Sequence, residues 1–142
     1  MRIIAIDYGN KRIGIAMTDK EKKLALPFKT IESGKNLQST VNILIISLKE
    51  YLKETELILI GYPLLFSGKI SEMAKKVEEF KRILEKTINI PIILLDERLT
   101  SAQADRRLKE MELTRKKRSK FIDTTAALIL LEGYLNSASL QL

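Results

Sequence analysis

Apolar positions along this chain follow two periods in turn. Ile3, Ile4, Ala5 and Ile6 form a run of strand length that ends in Asp7, and a second run, Ile13 to Met17, follows Tyr8-Gly9-Asn10-Lys11-Arg12. The two read as a β-hairpin with Asp7 at its mouth. Gly9 frees the turn from side-chain sterics, and Asn10 tolerates positive φ. Leu24 to Ile31 suits a third strand, and Pro27 within it marks a sheet edge. Val41, Leu44, Ile45, Leu48, Tyr51 and Leu52 then recur at threes and fours, which predicts a helix with one buried face between Asn36 and Leu52. Leu57 to Ile60 is unbroken, as in a strand covered on both faces, and it stops at Gly61-Tyr62-Pro63. Ile70, Met73, Ala74, Val77, Phe80 and Leu84 mark a second helix starting near Ser71, and Pro91 to Leu95 a further buried strand. Thr100 and Gln103 have capping-box spacing, predicting a helix from Ser101 to about Met111. Phe121, Ile122, Ala126, Leu128, Ile129, Leu131 and Leu135 predict a last helix from about Ser119 to Asn136, with a frayed tail beyond it.

This alternation of strands and helices is that of an α/β chain, and 142 residues suit one domain able to bury its own core. With 45% hydrophobic and 30% charged residues the balance is that of a soluble protein, and no apolar run reaches the length of a membrane helix. The first strand leaves no room for an export signal, so residence in the cytoplasm is expected. Cysteine and histidine are absent, which excludes disulfides, thiolate metal sites, cysteine nucleophiles and imidazole bases. Acid, base or metal chemistry near neutral pH must then come from carboxylates, Lys or Tyr. The net charge of +7 points to a polyanionic partner. Positive charge is densest between Asp105 and Lys120, where eight basic residues meet only three acidic ones.

In open α/β sheets, ligands gather at the carboxyl ends of parallel strands. Asp7 ends the first strand, Asp96 or Glu97 ends the last, and Asp123 stands near the start of the final helix. Neighbouring strand residues point to opposite faces, so only one of Asp96 and Glu97 can join Asp7, and Glu97 is our choice. Three converging carboxylates repel unless a hard cation binds them, and Mg²⁺ or Mn²⁺ prefers such oxygen ligands. Two such ions activate water and steady the leaving oxygen of a phosphodiester without histidine. Each acid also has a structural alternative: Asp7 as a turn residue, Asp123 as a helix N-cap, and Glu97 as a surface partner of Arg98 or Lys109. The basic run Arg115, Lys116, Lys117 and Arg118 reads either as a solvated loop or as a set of phosphate contacts. Arg12 and Arg98 read either as structural or as phosphate-binding residues.

Four motifs occur in order: Asp7-Tyr8-Gly9-Asn10-Lys11-Arg12-Ile13-Gly14-Ile15-Ala16, then Ile60-Gly61-Tyr62-Pro63-Leu64, then Asp96-Glu97-Arg98-Leu99-Thr100-Ser101, and finally Asp123-Thr124-Thr125-Ala126-Ala127 with Leu131 to Leu135. Together they resemble the YqgF family, also called RuvX, over nearly the whole chain. The resemblance implies an RNase H-like fold for residues 1–142: a mixed five-stranded sheet, its first three strands antiparallel, flanked by helices. It implies a bacterial cytoplasmic nuclease that matures the 5′ end of pre-16S ribosomal RNA, with Holliday-junction resolution as the alternative. The family's acidic positions fall on Asp7, Glu97 and Asp123. Partners would be structured RNA, branched DNA or pre-ribosomal particles, engaged by a monomer or a homodimer. One departure is visible: Leu65-Phe66-Ser67-Gly68 stands where the family usually reads an Asn-Met-Asp-Gly type of loop. A ribosome-assembly module that binds RNA without cutting it is the rival from another class. ATP hydrolysis, suggested by the Asp-x-Gly hairpin of actin-like folds, would need a second domain.

Overall fold

The structure is a computed structural model that describes residues 1–63, 67, 70–96 and 115–140, apart from the side chains at 115–123 and 138–140. Two apolar strands, β1 (Arg2–Asp7) and β4 (Thr55–Tyr62), lie side by side and parallel at its centre. β2 (Arg12–Thr18) and β3 (Ala25–Glu32) extend the sheet antiparallel on one side, and β5 (Ile92–Asp96) runs parallel to β4 at the other edge. The order β3-β2-β1-β4-β5, with the first three strands antiparallel, is the mixed sheet expected above.

Period-two alternation sorts the strand residues onto two unequal faces. Ile4, Ile6, Ile13, Ile15, Ile58 and Ile60 face α1 (Leu37–Leu48) and α2 (Glu72–Thr87), which contribute Val41, Leu44, Leu48, Val77, Phe80 and Leu84. The other face is built from smaller residues, Ile3, Ala5, Ala16 and Leu59, and receives α3 (Arg115–Leu140) through Ala127, Leu130 and Leu131. β4 therefore buries both faces, as its unbroken apolar run requires. β5, at the edge, is less enclosed than its sequence suggested, with Ile93 exposed.

Local signals explain most element boundaries. Asn36 caps α1 in a reciprocal box with Ser39, and Ser71 caps α2 by accepting from the Ala74 N–H. Pro27 sits in the edge strand β3 where the pairing with β2 slips between Ile15 and Ala16, so its missing N–H leaves no gap in an inner ladder. The first helix ends at Leu48 rather than Leu52, and a short 3₁₀ turn at Leu52–Glu54 delivers the chain into β4.

Three sequence expectations are corrected. Asn10 does not adopt positive φ: among the described non-glycine residues that conformation belongs to Lys22, in the turn between β2 and β3. The link from Asp7 to Arg12 is long enough to reverse the chain without it. The basic run Arg115 to Lys120 is not a loop but the first turns of α3. Basic residues oppose the helix dipole at an N-terminus, yet Lys and Arg are good helix formers with no breaker among them. Nor does the helix fray after Asn136; it continues to Leu140 through a stretch free of Gly and Pro. The helix expected from Ser101 to Met111, and all of Leu65-Phe66-Ser67-Gly68 except Ser67, lie outside the described residues.

Where β1 meets β4 the register shifts between Arg2 and Ile3, and the Ile3 N–H donates to Thr18 Oγ1 at 2.9 Å. Thr18 is fully buried. Replacing it with the isosteric Thr18→Val leaves that N–H without its acceptor and should cost about 1–3 kcal/mol in urea denaturation. Thr18→Ser, which keeps the hydroxyl, should cost less; equal losses for the two would show that the hydroxyl carries nothing.

Candidate active site

Asp7 is the last residue of β1, and its row across the sheet is defined by pairing. It lies opposite Gly14 of β2, which in turn lies opposite Thr30 of β3. On the other side, one step past the paired Ile6 and Ile60, comes Gly61 of β4. Asp7 is thus flanked on both neighbouring strands by glycine, so no strand side chain stands beside its carboxylate. Alternation from Ile3 and Ala5 puts it on the α3 face, whereas Tyr8 turns to the other face and packs on Phe80 with ring centroids 4.9 Å apart.

The turn that carries Asp7 is held by three hydrogen bonds from two segments of the chain. Ser33 donates from Oγ to the Gly9 carbonyl at 3.1 Å and from its N–H to the Lys11 carbonyl at 2.9 Å. Lys76 Nζ on α2 donates to Asn10 Oδ1 at 3.0 Å. A Cβ at position 9 would stand 2.5 Å from the Arg12 carbonyl oxygen, so the steric role expected of Gly9 is real. Across the sheet end, Ser71 Oγ donates to the Pro63 carbonyl at 2.7 Å, and the Tyr62 hydroxyl to Glu78 at 2.9 Å. That hydrogen bond, aided by partial desolvation, pushes the Tyr62 phenol above its ordinary pKa.

α3 brings the second acid. Thr124 Oγ1 lies 2.6 Å from Thr30 Oγ1, so the helix crosses the sheet at the row of Asp7. From Thr30 to Asp7 that row covers two strand spacings, roughly 10 Å. Position 123 precedes Thr124 and lies one helical turn before Ala127, on the stripe that meets the sheet. The backbone therefore brings Asp123 to the same face and the same end of the sheet as Asp7. The N-cap alternative for Asp123 is overturned, because α3 begins more than two turns earlier, at Arg115.

For the third acid the structure removes one candidate. Asp96 pairs with Tyr62 and alternates with Leu95, which packs in the α3-side cluster, so Asp96 falls on the face away from Asp7. Glu97 and Arg98 lie outside the described residues, as do the side chains of Arg115, Lys116, Lys117 and Arg118. Arg12 occupies the same-face row next to that of Asp7, opposite Glu32. No group of three acidic ligands occurs among the described residues. The positions that the backbone places on this face, 7 and 123, are both acidic in a chain without Cys or His, a donor chemistry that suits a hard divalent cation such as Mg²⁺ or Mn²⁺.

The glycine flanks of Asp7 escaped the sequence reading as site features. Their signal was present, since Gly14 lies in the Asp7 motif and Gly61 directly follows the β4 run. Only the strand register shows that both fall beside Asp7.

A family model described as Holliday junction resolvase, RuvX, matches residues 1–137. The chain belongs to this family. A relative from Protochlamydia amoebophila, named "Putative pre-16S rRNA nuclease", is 43% identical over 140 residues, covering 96% of this chain and 93% of its own. Among solved structures, T. thermophilus RuvC in complex with Holliday junction substrate superposes with a TM-score of 0.58 at 14% identity, over 98% of this chain and 96% of that one. The fowlpox virus Holliday junction resolvase gives 0.60 at 17% identity, over 97% and 99%. At such identities these two likenesses speak for the fold alone, and that fold is RNase H-like. No helix among the described residues is long and apolar enough to cross a membrane.

The distance between Asp7 and α3 is set by three small buried residues, Ala5 and Ala16 on the sheet and Ala127 on the helix. Ala127→Leu should force the helix outward and destabilise the protein by about 1–3 kcal/mol in chemical denaturation. A loss no larger than that of an exposed substitution on α3 would show that the contact is loose and does not set the spacing.

Proposed function

We propose that this protein is a metal-dependent endonuclease that processes the 5′ end of pre-16S ribosomal RNA by phosphodiester hydrolysis. What supports the reading is that the backbone puts position 123 on the sheet face of Asp7, toward the carboxyl end of β1, with glycine on both flanks of Asp7. The family and its nuclease-named relative support the same activity.

Asp7, Glu97 and Asp123 would hold Mg²⁺ or Mn²⁺. Bound there, the ion supplies Lewis-acid polarisation of the phosphate and acidification of water. The alternation that takes Asp96 off the face of Asp7 supports Glu97 as the third ligand. Asp7 is fixed by strand pairing on one side and a tethered turn on the other, which limits the reorganisation needed when a phosphate arrives. Arg12, in the adjacent row, would grip a phosphate oxygen. Arg98, Arg115, Lys116, Lys117 and Arg118 would hold phosphates further along the strand, positioning it without reading its sequence. Residues 1–142 would act as one domain in the cytoplasm, on free precursor RNA or on pre-ribosomal particles.

Resolution of branched DNA is the second reading, favoured by the description of the family model. A symmetric junction calls for a homodimer, whereas one RNA end is served by a monomer.

Incubation of wild-type and Asp7→Asn protein with a precursor 16S transcript and with a four-way DNA junction, each with Mg²⁺, Mn²⁺ or EDTA, tests both readings. Cleavage of the transcript that needs metal and falls about a hundredfold or more in the variant is the expected result. Preferential cutting of the junction would give the second reading. Salt-sensitive binding with no product from either substrate would leave a non-catalytic assembly module.

A further inference from the structure

The sheet face opposite the acids carries a cleft of about 240 Å³ that opens beside the same turn. Tyr8 and Asn10 come from the turn itself, Ser33 and Lys35 from the connection into α1, and Lys76 and Glu79 from α2. Because consecutive strand residues project oppositely, Asp7 and Tyr8 address the two sides of one narrow partition. A flexible single strand bending over the end of the sheet can therefore touch both.

The chemistry of the walls narrows what fits. Sites that enclose a whole drug-sized molecule run to roughly 300–1,000 Å³ and are mainly apolar. This cleft is smaller and polar side chains share its walls with apolar surface, so it suits one unit of a longer chain that carries both kinds of surface. Lys76 uses one N–H on Asn10 and keeps two to give. Neither Lys35 nor Glu79 has a hydrogen-bond or ion-pair partner among the described residues. Partial burial, reinforced by the Glu79 charge, raises the Tyr8 phenol above its ordinary pKa, so at neutral pH it remains a donor. Ammonium and phenol groups suit phosphate oxygens, and the Glu79 carboxylate accepts hydrogen bonds, as a ribose hydroxyl would offer.

We propose that this cleft is a subsite for one ribose–phosphate unit of a single-stranded RNA flank, with Lys35 and Lys76 on the phosphate and Glu79 accepting from the 2′-hydroxyl. The proposal rests on the nuclease reading and extends it: a strand held at Asp7 on one face continues round the turn to the other. The 2′-hydroxyl contact would make the site favour RNA over DNA.

Binding tests this apart from cleavage. Full-length Asp7→Asn protein is titrated by fluorescence anisotropy with a single-stranded RNA and the DNA of the same sequence across a range of salt. Adding Lys35→Gln and Lys76→Gln together should weaken RNA binding about tenfold and lower the slope of log K against log salt by about 0.7, the value of one phosphate contact on a single strand. Adding Glu79→Ala instead should narrow the RNA-to-DNA affinity ratio by about threefold to tenfold. All three positions are exposed, and unchanged thermal unfolding checks that each variant folds. Unchanged affinity and slope in the lysine variant would overturn the subsite even if the wild type cuts RNA. An unchanged RNA-to-DNA ratio in the Glu79 variant would overturn the ribose contact. If instead the wild type cuts nothing but the lysine variant binds RNA more weakly, the nuclease reading fails and the subsite stands.

Discussion

The contact on which the rest of the molecule depends is the seating of α3 against the small residues of the sheet. Ala5, Ala16 and Ala127 are buried where the two surfaces meet, among Ile3, Leu59, Leu130 and Leu131, and their small side chains let helix and sheet approach there. The opposite face, packed with isoleucines against α1 and α2, supplies much of the apolar burial. The two faces thus divide their tasks. One anchors β1 in the sheet, and the other seats α3 across the row of Asp7. The hydroxyl contact between Thr30 and Thr124 fixes where along the sheet the helix crosses.

The turn after Asp7 connects these two faces. It is tied to the connection into α1 through Ser33 and to α2 through Lys76, while its own residues diverge to opposite sides of the sheet. Asp7 and the turn are consecutive in the chain, so a displacement of the turn reaches Asp7 through the backbone, and Gly9 leaves no room for a side chain against the Arg12 carbonyl. Substrate contact on the Tyr8 side would then bear directly on the position of the acid, with no longer route through the core.

Much of this was legible in the sequence because the deciding signals are local. Among the described residues, periodicity found the five strands and three helices in their order, and Pro27, Asn36 and Ser71 marked an edge and two caps through chemistry confined to a few residues. The start of α3 was misjudged because the basic residues from Arg115 to Lys120 argue against a helix N-terminus by their charge, while helix formation there rests on propensity and continuity with the packed turns that follow. Which of Asp96 and Glu97 shares the face of Asp7 was open for a different reason. Alternation allows only one of the two, and the register of β5 on β4 is what takes Asp96 off that face. The glycines beside Asp7 are of the same kind: their meaning is lateral, across strands, and a linear reading has no term for it.

A site without histidine places an unusual demand on such a scaffold. An imidazole titrates near neutrality and adapts its charge to the step at hand, whereas carboxylates gathered at one point stay charged and repel one another until a cation arrives. Before that, a scaffold for the proposed site would have to hold the acids together against their repulsion. In this chain the opposing force would be the burial of Leu130 and Leu131 behind the alanine contact, about two turns from position 123. On the proposed reading, docking of α3 and cation binding would be linked: an ion held by Asp7 and Asp123 would stabilise the helix on the sheet, and the seated helix would raise affinity for the ion by the same free energy. Loosening the alanine contact should accordingly weaken metal binding, although none of its residues carries a charge.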